Sequence, residues 1–162
     1  MPMIQFTRRT LIKAGSVVVA SGLTGHLVPA QAKGLEPTPT MRGGANNYLR
    51  GAPIVERIGA GGFWMSGSVR RAGDGLPLEG QRIQIWAHTV EGHEREPESH
   101  GSTLTDANGE FKLEMPQIVP AFGQAHAHLA YDDGAFKTVF LRPVMANAKD
   151  TALSTHFVLE PV

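Results

Sequence analysis

The sequence predicts an all-β fold, an antiparallel β-sandwich of about seven strands, and three observations lead there. Seven short runs rich in β-branched, aromatic and other apolar residues follow one another between Phe63 and Leu159. Each is bounded by Gly, Pro, Asn or Asp, and no stretch between them sustains the apolar spacing of a helix. Short strands separated by turn signals are the pattern of two sheets packed face to face.

The runs are FWMSGSVR (63–70), GQRIQIWA (80–87), STLT (102–105), EFKLEM (110–115), AHAHLAY (125–131), FKTVFLR (136–142) and STHFVL (154–159). Two connections carry specific turn chemistry. Asp106-Ala107-Asn108-Gly109, between the third and fourth runs, offers Asn and Gly for positive φ, and Asp132-Asp133-Gly134 does the same between the fifth and sixth. Both are hairpin signals, so adjacent strands are expected to pair antiparallel.

Ahead of the strands, residues 33–62 read KGLEPTPTMRGGANNYLRGAPIVERIGAGG, dense in Gly and Pro and without a period. They are expected to form an extended arm wrapping the domain, leaving 63–162 for the sandwich. Residues 1–32 have the order of an export signal: Arg8 and Arg9 in TRRTLIKAG, the modest apolar run SVVVASGL, then the small-x-small site Ala30-Gln31-Ala32. This resembles a bacterial twin-arginine signal. The resemblance implies the twin-arginine translocase as a partner during export, and a periplasmic or extracellular location. The apolar run falls short of the roughly 20 residues a bilayer span needs, so no integral membrane segment is expected.

Removing the signal removes Arg8, Arg9 and Lys13 from 15 basic residues and nothing from 15 acidic ones, which leaves the remainder near −3. That balance excludes the basic footprint of a nucleic-acid-binding protein. Residues 33–162 suit one domain with a core of useful size. Cysteine is absent, although an exported chain enters a compartment where disulfides form, so packing or a bound ion must supply the stability. Twin-arginine substrates cross already folded, often with a cofactor inserted, and the resemblance therefore favours a metal.

The chemistry concentrates in two places. In QAHAHLAY (124–131), strand alternation puts His126, His128 and Ala130 on one face and Ala127, Leu129 and Tyr131 on the other. Two imidazoles at i and i+2 can converge on one ion, small alanines leave room around them, and imidazole suits Zn, Cu, Fe and Ni. The alternative is a histidine pair satisfied by water or a carboxylate on a half-exposed strand. The second place is HTVEGHEREPESH (88–100), with His88, His93 and His100 among Glu91, Glu94, Glu96 and Glu98. Taken residue by residue it is a solvated loop. His88, His93 or Glu94 from it would complete a three-ligand site open to substrate or water. His156, alone on the last run, is a weaker candidate.

Together these segments resemble the intradiol ring-cleavage dioxygenases. Gly67-x-Val69 with Pro77, Leu78 and Gly80, then Ile85-Trp86, TDANGEF (105–111) and the His126-x-His128 pair carry the resemblance, which spans about residues 62–142. The G-x-V, PL-x-G and TD-x-x-G-x-F elements also occur in transthyretin-like and carboxypeptidase-regulatory-like sandwiches; Trp86 and the H-x-H strand favour the dioxygenases. The resemblance implies ferric iron held by two Tyr and two His, and a catechol cleaved between its hydroxyls. His126 and His128 fall on the two histidine ligands, and Trp86 is the substrate-binding candidate. The tyrosines do not carry over: Glu94 stands where the first belongs and Val119 where the second belongs, and Gly123 stands where an Arg is usual. Tyr48 and Tyr131 are the tyrosines of the chain.

Two His with a carboxylate or a third His suit Fe(II), Zn or Cu better than Fe(III). The sequence therefore supports an exported metal-binding protein, an oxidoreductase on a small aromatic substrate if active. It holds one metal ion, iron by resemblance, with copper or zinc open. The alternative is a non-catalytic periplasmic binding or carrier module on the same sandwich, or a structural domain with no metal, because one fold hosts unrelated functions.

Overall fold

Seven strands form in the computed structural model, which describes residues 34–162; the expected export signal lies outside the described residues. They are β1 Gly62–Arg71, β2 Arg82–Ala87, β3 His100–Leu104, β4 Glu110–Pro116, β5 Ala127–Tyr131, β6 Val139–Leu141 and β7 Ala152–Leu159. Among the described residues the only helical turn is a 3-10 turn at Pro97–Ser99, and no helix is long and apolar enough to cross a membrane. The strands make a three-stranded sheet, β4-β1-β7, and a four-stranded sheet, β3-β2-β5-β6.

Two expectations about pairing are corrected. β7 runs parallel to β1, from Trp64 opposite Ala152 to Arg71 opposite Leu159, whereas every other pair is antiparallel. The turn at 106–109 is not a hairpin either, since β3 and β4 belong to different sheets. Its chemistry is local: Asp106 Oδ1 accepts from the amides of Asn108 and Glu110, and the Gly109 amide returns to the Asp106 carbonyl. Such a turn reverses the chain without choosing the partner strand. Asp132-Asp133-Gly134, by contrast, does join paired strands, β5 and β6.

Alternation builds the core. Phe63, Met65 and Val69 of β1, Phe111, Leu113 and Met115 of β4, and Phe157 and Leu159 of β7 face inward. They meet Ile83, Ile85 and Ala87 of β2, Ala127, Leu129 and Tyr131 of β5, and Val139 and Leu141 of β6. Each fully buried large side chain contributes roughly 1.5–3 kcal/mol. Tyr131 therefore lies between the sheets, away from the histidine face, as alternation requires.

The other face of the four-stranded sheet is polar and yet buried, carrying Gln84, Trp86, His100, Ser102 and His128. The segment before β1 covers it. Leu49 O accepts from Gln84 Nε2 at 2.6 Å, Asn46 O from Trp86 Nε1 at 2.9 Å and Ala52 O from Ser102 Oγ at 2.9 Å. Backbone bonds from Val55 N to Ser102 O and from Ser102 N to Pro53 O fix it to β3. Buried polar groups need partners, and here an irregular segment's carbonyls supply them.

Candidate metal centre

Glu94, His126 and His128 converge at the edge of that covered face. His126 sits at an isolated bridge to Val144 just before β5, and His128 is the second residue of β5. The i, i+2 spacing puts both rings on the same side with their Nε2 atoms 3.2 Å apart. Glu94 Oε2 stands 3.5 Å from His126 Nε2 and 3.3 Å from His128 Nε2. All three residues are buried, His128 completely.

The far side of each ring settles where its proton is. His126 Nδ1 lies 2.8 Å from Gln124 O and His128 Nδ1 lies 3.0 Å from Gly44 O. A carbonyl can only accept, so both Nδ1 atoms carry hydrogen and both Nε2 atoms present bare lone pairs. Arg142 Nη2 also stands 3.4 Å from His126 Nδ1, and two donors cannot bond each other; the shorter contact to Gln124 O sets the tautomer, so Arg142 makes no hydrogen bond to this ring. Glu94 Oε1 accepts from Asn47 Nδ2 at 2.7 Å, while Oε2 is buried without a hydrogen-bond partner. With both rings neutral, three electron-pair donors thus face one another, an arrangement that repels itself unless a cation, a metal ion or a proton on one Nε2, sits among them.

Spacing and donor type fit a metal. Ligand atoms each about 2.1 Å from a tetrahedrally coordinated ion stand about 3.4 Å apart, close to the separations here. Imidazoles held through Nδ1–H to carbonyls are also the oriented, neutral form a metal needs. Burial pushes the His128 imidazole below its usual range, with Glu94 pulling the other way, so His128 is neutral at neutral pH. A depressed imidazole contributes stability that is complete above about pH 6.5 and is lost as pH falls through the lowered value. Protons compete with metal in the same window. Metal content after dialysis across pH 8 to 4 is therefore expected to hold at neutral pH and to fall as the pH is taken down through the lowered His128 value.

Supports come from elements far apart in sequence. Trp86 is fully buried, its ring stacked on His128 (5.2 Å, 9°) and on His100 (5.3 Å, 8°). His100 Nε2 donates to Glu94 O at 2.7 Å, and this bond pins the loop that carries the carboxylate; burial keeps His100 below the usual histidine range too. Asn47, at φ 58°, uses the left-handed conformation that Asn tolerates. Gly44 has no room for a side chain, since a Cβ would come 2.8 Å from Phe140 O. Gly44→Ala is expected to displace the carbonyl that orients His128 and to weaken metal affinity about 10- to 100-fold, measured by chelator competition.

Of the residues singled out from sequence, the structure brings together Glu94, His126 and His128. His88 and His93 form a separate edge-to-face pair, ring centres 5.2 Å apart. His93 Nδ1 accepts from the Arg95 backbone N–H and Nε–H at 3.2 Å, so its proton is on Nε2 and no lone pair is free there. Trp86 is enclosed by the two histidine rings. His156 hydrogen-bonds Ser68 Oγ at 2.8 Å on the opposite sheet. Gly44, Asn47 and Gln124 were not singled out as parts of a site, and His100 was named only among the loop's histidines; the Gly-Gly-x-Asn-Asn run at 43–47 was the available signal for the first two. The tyrosines do not reach the trio: Tyr131 is in the core, and Tyr48 OH donates to Asp132 Oδ2 at 2.6 Å. Burial and that carboxylate push Tyr48 up to about 12, the range of a neutral phenol.

No family model matches the chain, and no curated protein matches it in sequence. Its fold is similar to solved dioxygenases. Hydroxyquinol 1,2-dioxygenase from Pseudomonas putida DLL-E4 aligns with a TM-score of 0.58 at 15% identity, over 79% of this chain and 68% of that one. 3-Chlorocatechol 1,2-dioxygenase from Rhodococcus opacus 1CP gives 0.58 at 15%, over 80% and 73%. The dioxygenase domain of a dioxygenase carbohydrate-binding protein fusion from Streptomyces sp. SirexAA-E gives 0.58 at 16%, over 78% of this chain and 100% of that domain. At such identity the likeness establishes the sandwich and nothing finer. The β-sandwich that the sequence resemblance implied is the one the chain adopts.

Proposed function

We propose that this chain is an exported metalloprotein in which His126, His128 and Glu94 hold one metal ion, and that it acts as an oxidoreductase on a small catechol-like aromatic. One observation carries the metal: His126 Nε2, His128 Nε2 and Glu94 Oε2 are buried within 3.5 Å of one another, and Oε2 has no hydrogen-bond partner. Two His and one carboxylate are the donor set of non-haem Fe(II) oxygenases, and iron is also what the resemblance implies. Zinc and copper share the imidazole preference. A bound iron would supply one-electron and dioxygen chemistry. The chain's own residues hold and orient: Gln124 and Gly44 fix the two rings, Asn47 fixes the carboxylate, and Trp86 and His100 keep the sheet and loop in register. In this proposal the ferric two-Tyr/two-His site is lost, because Glu94 and Val119 stand at the tyrosine positions and Tyr48 and Tyr131 are engaged elsewhere.

A second reading, a non-catalytic metal-binding or carrier module, is favoured by burial. His128 is 0% exposed, His126 7% and Glu94 9%, and the segment before β1 lies over them, which suits retaining an ion more than admitting a ring.

Elemental analysis of the exported protein beside the His126→Ala/His128→Ala double variant tests the metal. One equivalent of iron, copper or zinc that vanishes in the variant is expected; equal content in both would overturn the assignment. Oxygen uptake by the iron-loaded protein with catechol separates the two readings, since turnover supports the oxidoreductase and its absence the carrier.

A further inference from the structure

We propose that the open face of the three-stranded sheet binds a neutral, linear oligosaccharide, with Trp64 stacking on a sugar ring and hydroxyl and imidazole groups of β1 and β7 bonding its hydroxyls. This is independent of the metal. The two sheets treat their outer faces differently. The four-stranded sheet's is sealed by the preceding segment, whereas the three-stranded sheet's lies open along a groove of about 810 Å³ that starts at Ser66, one row from Trp64, and is bounded on its far side by Thr103 and Leu104 of β3. That volume is in the range of small-molecule sites.

What the face displays follows from register. Along β1, alternation sends Trp64, Ser66, Ser68 and Arg70 outward, and Trp64 is 44% exposed, unusual for the largest apolar side chain. Ser66 lies between Lys112 and Ser154, and Ser68 between Glu110 and His156. Successive rows are two residues apart, so the row from Trp64 to Arg70 runs about 20 Å, the reach of an extended chain rather than of a single ring. Lys112 Nζ lies over one face of the Trp64 ring, 5.6 Å from its centre, and the sugar takes the other face.

The chemistry selects the ligand class. Serine hydroxyls donate and accept, which is what a polyol needs from its partner. His156 gives Nδ1 to Ser68 and keeps its other ring nitrogen for a ligand. Arg70 and Lys112 stand against Asp106 and Glu110 around the groove, and Glu114 lies opposite Trp64, so the face has no cationic excess to attract a sulfated or phosphorylated polymer. A protein partner is disfavoured as well, because the interface would lack a cluster of apolar anchors: Leu104 is the large exposed apolar side chain of the groove, and Trp64 stands one row beyond it. An indole beside alternating hydroxyl, imidazole, ammonium and carboxylate groups, with no cationic excess, is matched by an uncharged sugar chain, whose CH faces are apolar and whose edges are hydroxyl.

Calorimetric titration of the full chain with cellohexaose, xylohexaose and mannohexaose tests this, with heparin as the anionic comparator. Saturable binding of at least one neutral hexasaccharide is expected, weakened about tenfold or more in Trp64→Ala while metal content stays the same. Ser154→Glu, an exposed change that places a carboxylate in the ligand's path, is expected to weaken it as well and covers the case in which Trp64→Ala folds poorly. Failure of all three sugars to saturate, binding unchanged in both variants, or preference for heparin would each overturn the proposal.

Discussion

Gly67→Ala is expected to destabilise the sandwich by about 3 kcal/mol or more, a large part of the roughly 5–15 kcal/mol a domain of this size has in total. Gly67 lies mid-strand on β1, on the inward side between Met65 and Val69, and faces Thr155 of β7 in the parallel ladder. A Cβ there would stand 1.8 Å from Thr155 O, a contact no atom pair sustains, and 2.6 Å from the Phe111 ring. Phe111 could turn; the carbonyl cannot, because it belongs to the parallel ladder in which Gly67 faces Thr155. Relief requires β1 and β7 to part, which breaks hydrogen bonds and opens the core at Phe157. Thermal unfolding should show a midpoint lower by about 10 °C or more, with Ser66→Ala, one residue along and pointing outward, within about 2 °C of the parent. A small shift in Gly67→Ala would mean that β1 and β7 do not meet as described.

That glycine shows what the sequence could and could not convey. The period-two pattern of each run specifies its own inward face, so the seven strands and the core side chains were legible one strand at a time. Which strand pairs with which is a property of the whole chain. Asp106-Ala107-Asn108-Gly109 encodes a reversal through its own Asx bonds, and nothing in those four residues says that the chain then crosses to the other sheet. The parallel β1–β7 pair was hidden for the same reason, since its strands are separated by all the others. The histidine pair was legible because i and i+2 on a strand share a face by geometry alone. Glu94 was legible only as one of several candidates, because its selection depends on where the loop folds back, and that is set by His100 holding the Glu94 carbonyl. Gly44 and Asn47 had no periodic signal, being parts of an irregular segment whose role is to satisfy buried polar atoms.

The coverage of the centre by that segment links fold to chemistry. Trp86, His100 and His128 stack as three parallel rings on the outer side of β2, β3 and β5, a surface that would be wet in an uncovered sheet. Residues 44–52 remove the water and supply carbonyls in its place, so the rings are held by directional bonds in a low-dielectric setting where those bonds are stronger. The same exclusion makes any unmatched group costly, and this leaves Glu94 Oε2 as the point where metal-free and metal-loaded protein should differ most.

Glu94→Gln is accordingly expected to abolish metal binding while stabilising the metal-free protein by about 1–2 kcal/mol, two effects of opposite sign from one nearly isosteric change. In the parent, Oε2 faces two nitrogen lone pairs at 3.3 and 3.5 Å and accepts nothing. A glutamine Nε2 in that position carries two hydrogens and two acceptors stand ready for them, while Oε1 keeps its bond from Asn47. The gain is the removal of a buried unsatisfied carboxylate oxygen; the loss is the anionic ligand, and the donor hydrogens now occupy the place of the ion. Unfolding of chelator-treated parent and variant at pH 7.5, where His128 is neutral, measures the first effect, and elemental analysis after reloading measures the second. The parent's midpoint should rise on metal addition and the variant's should not move. A metal-free variant less stable than the metal-free parent would mean that hydrogen already lies among the three atoms, and that they form a hydrogen-bonded cluster rather than a seat for a cation.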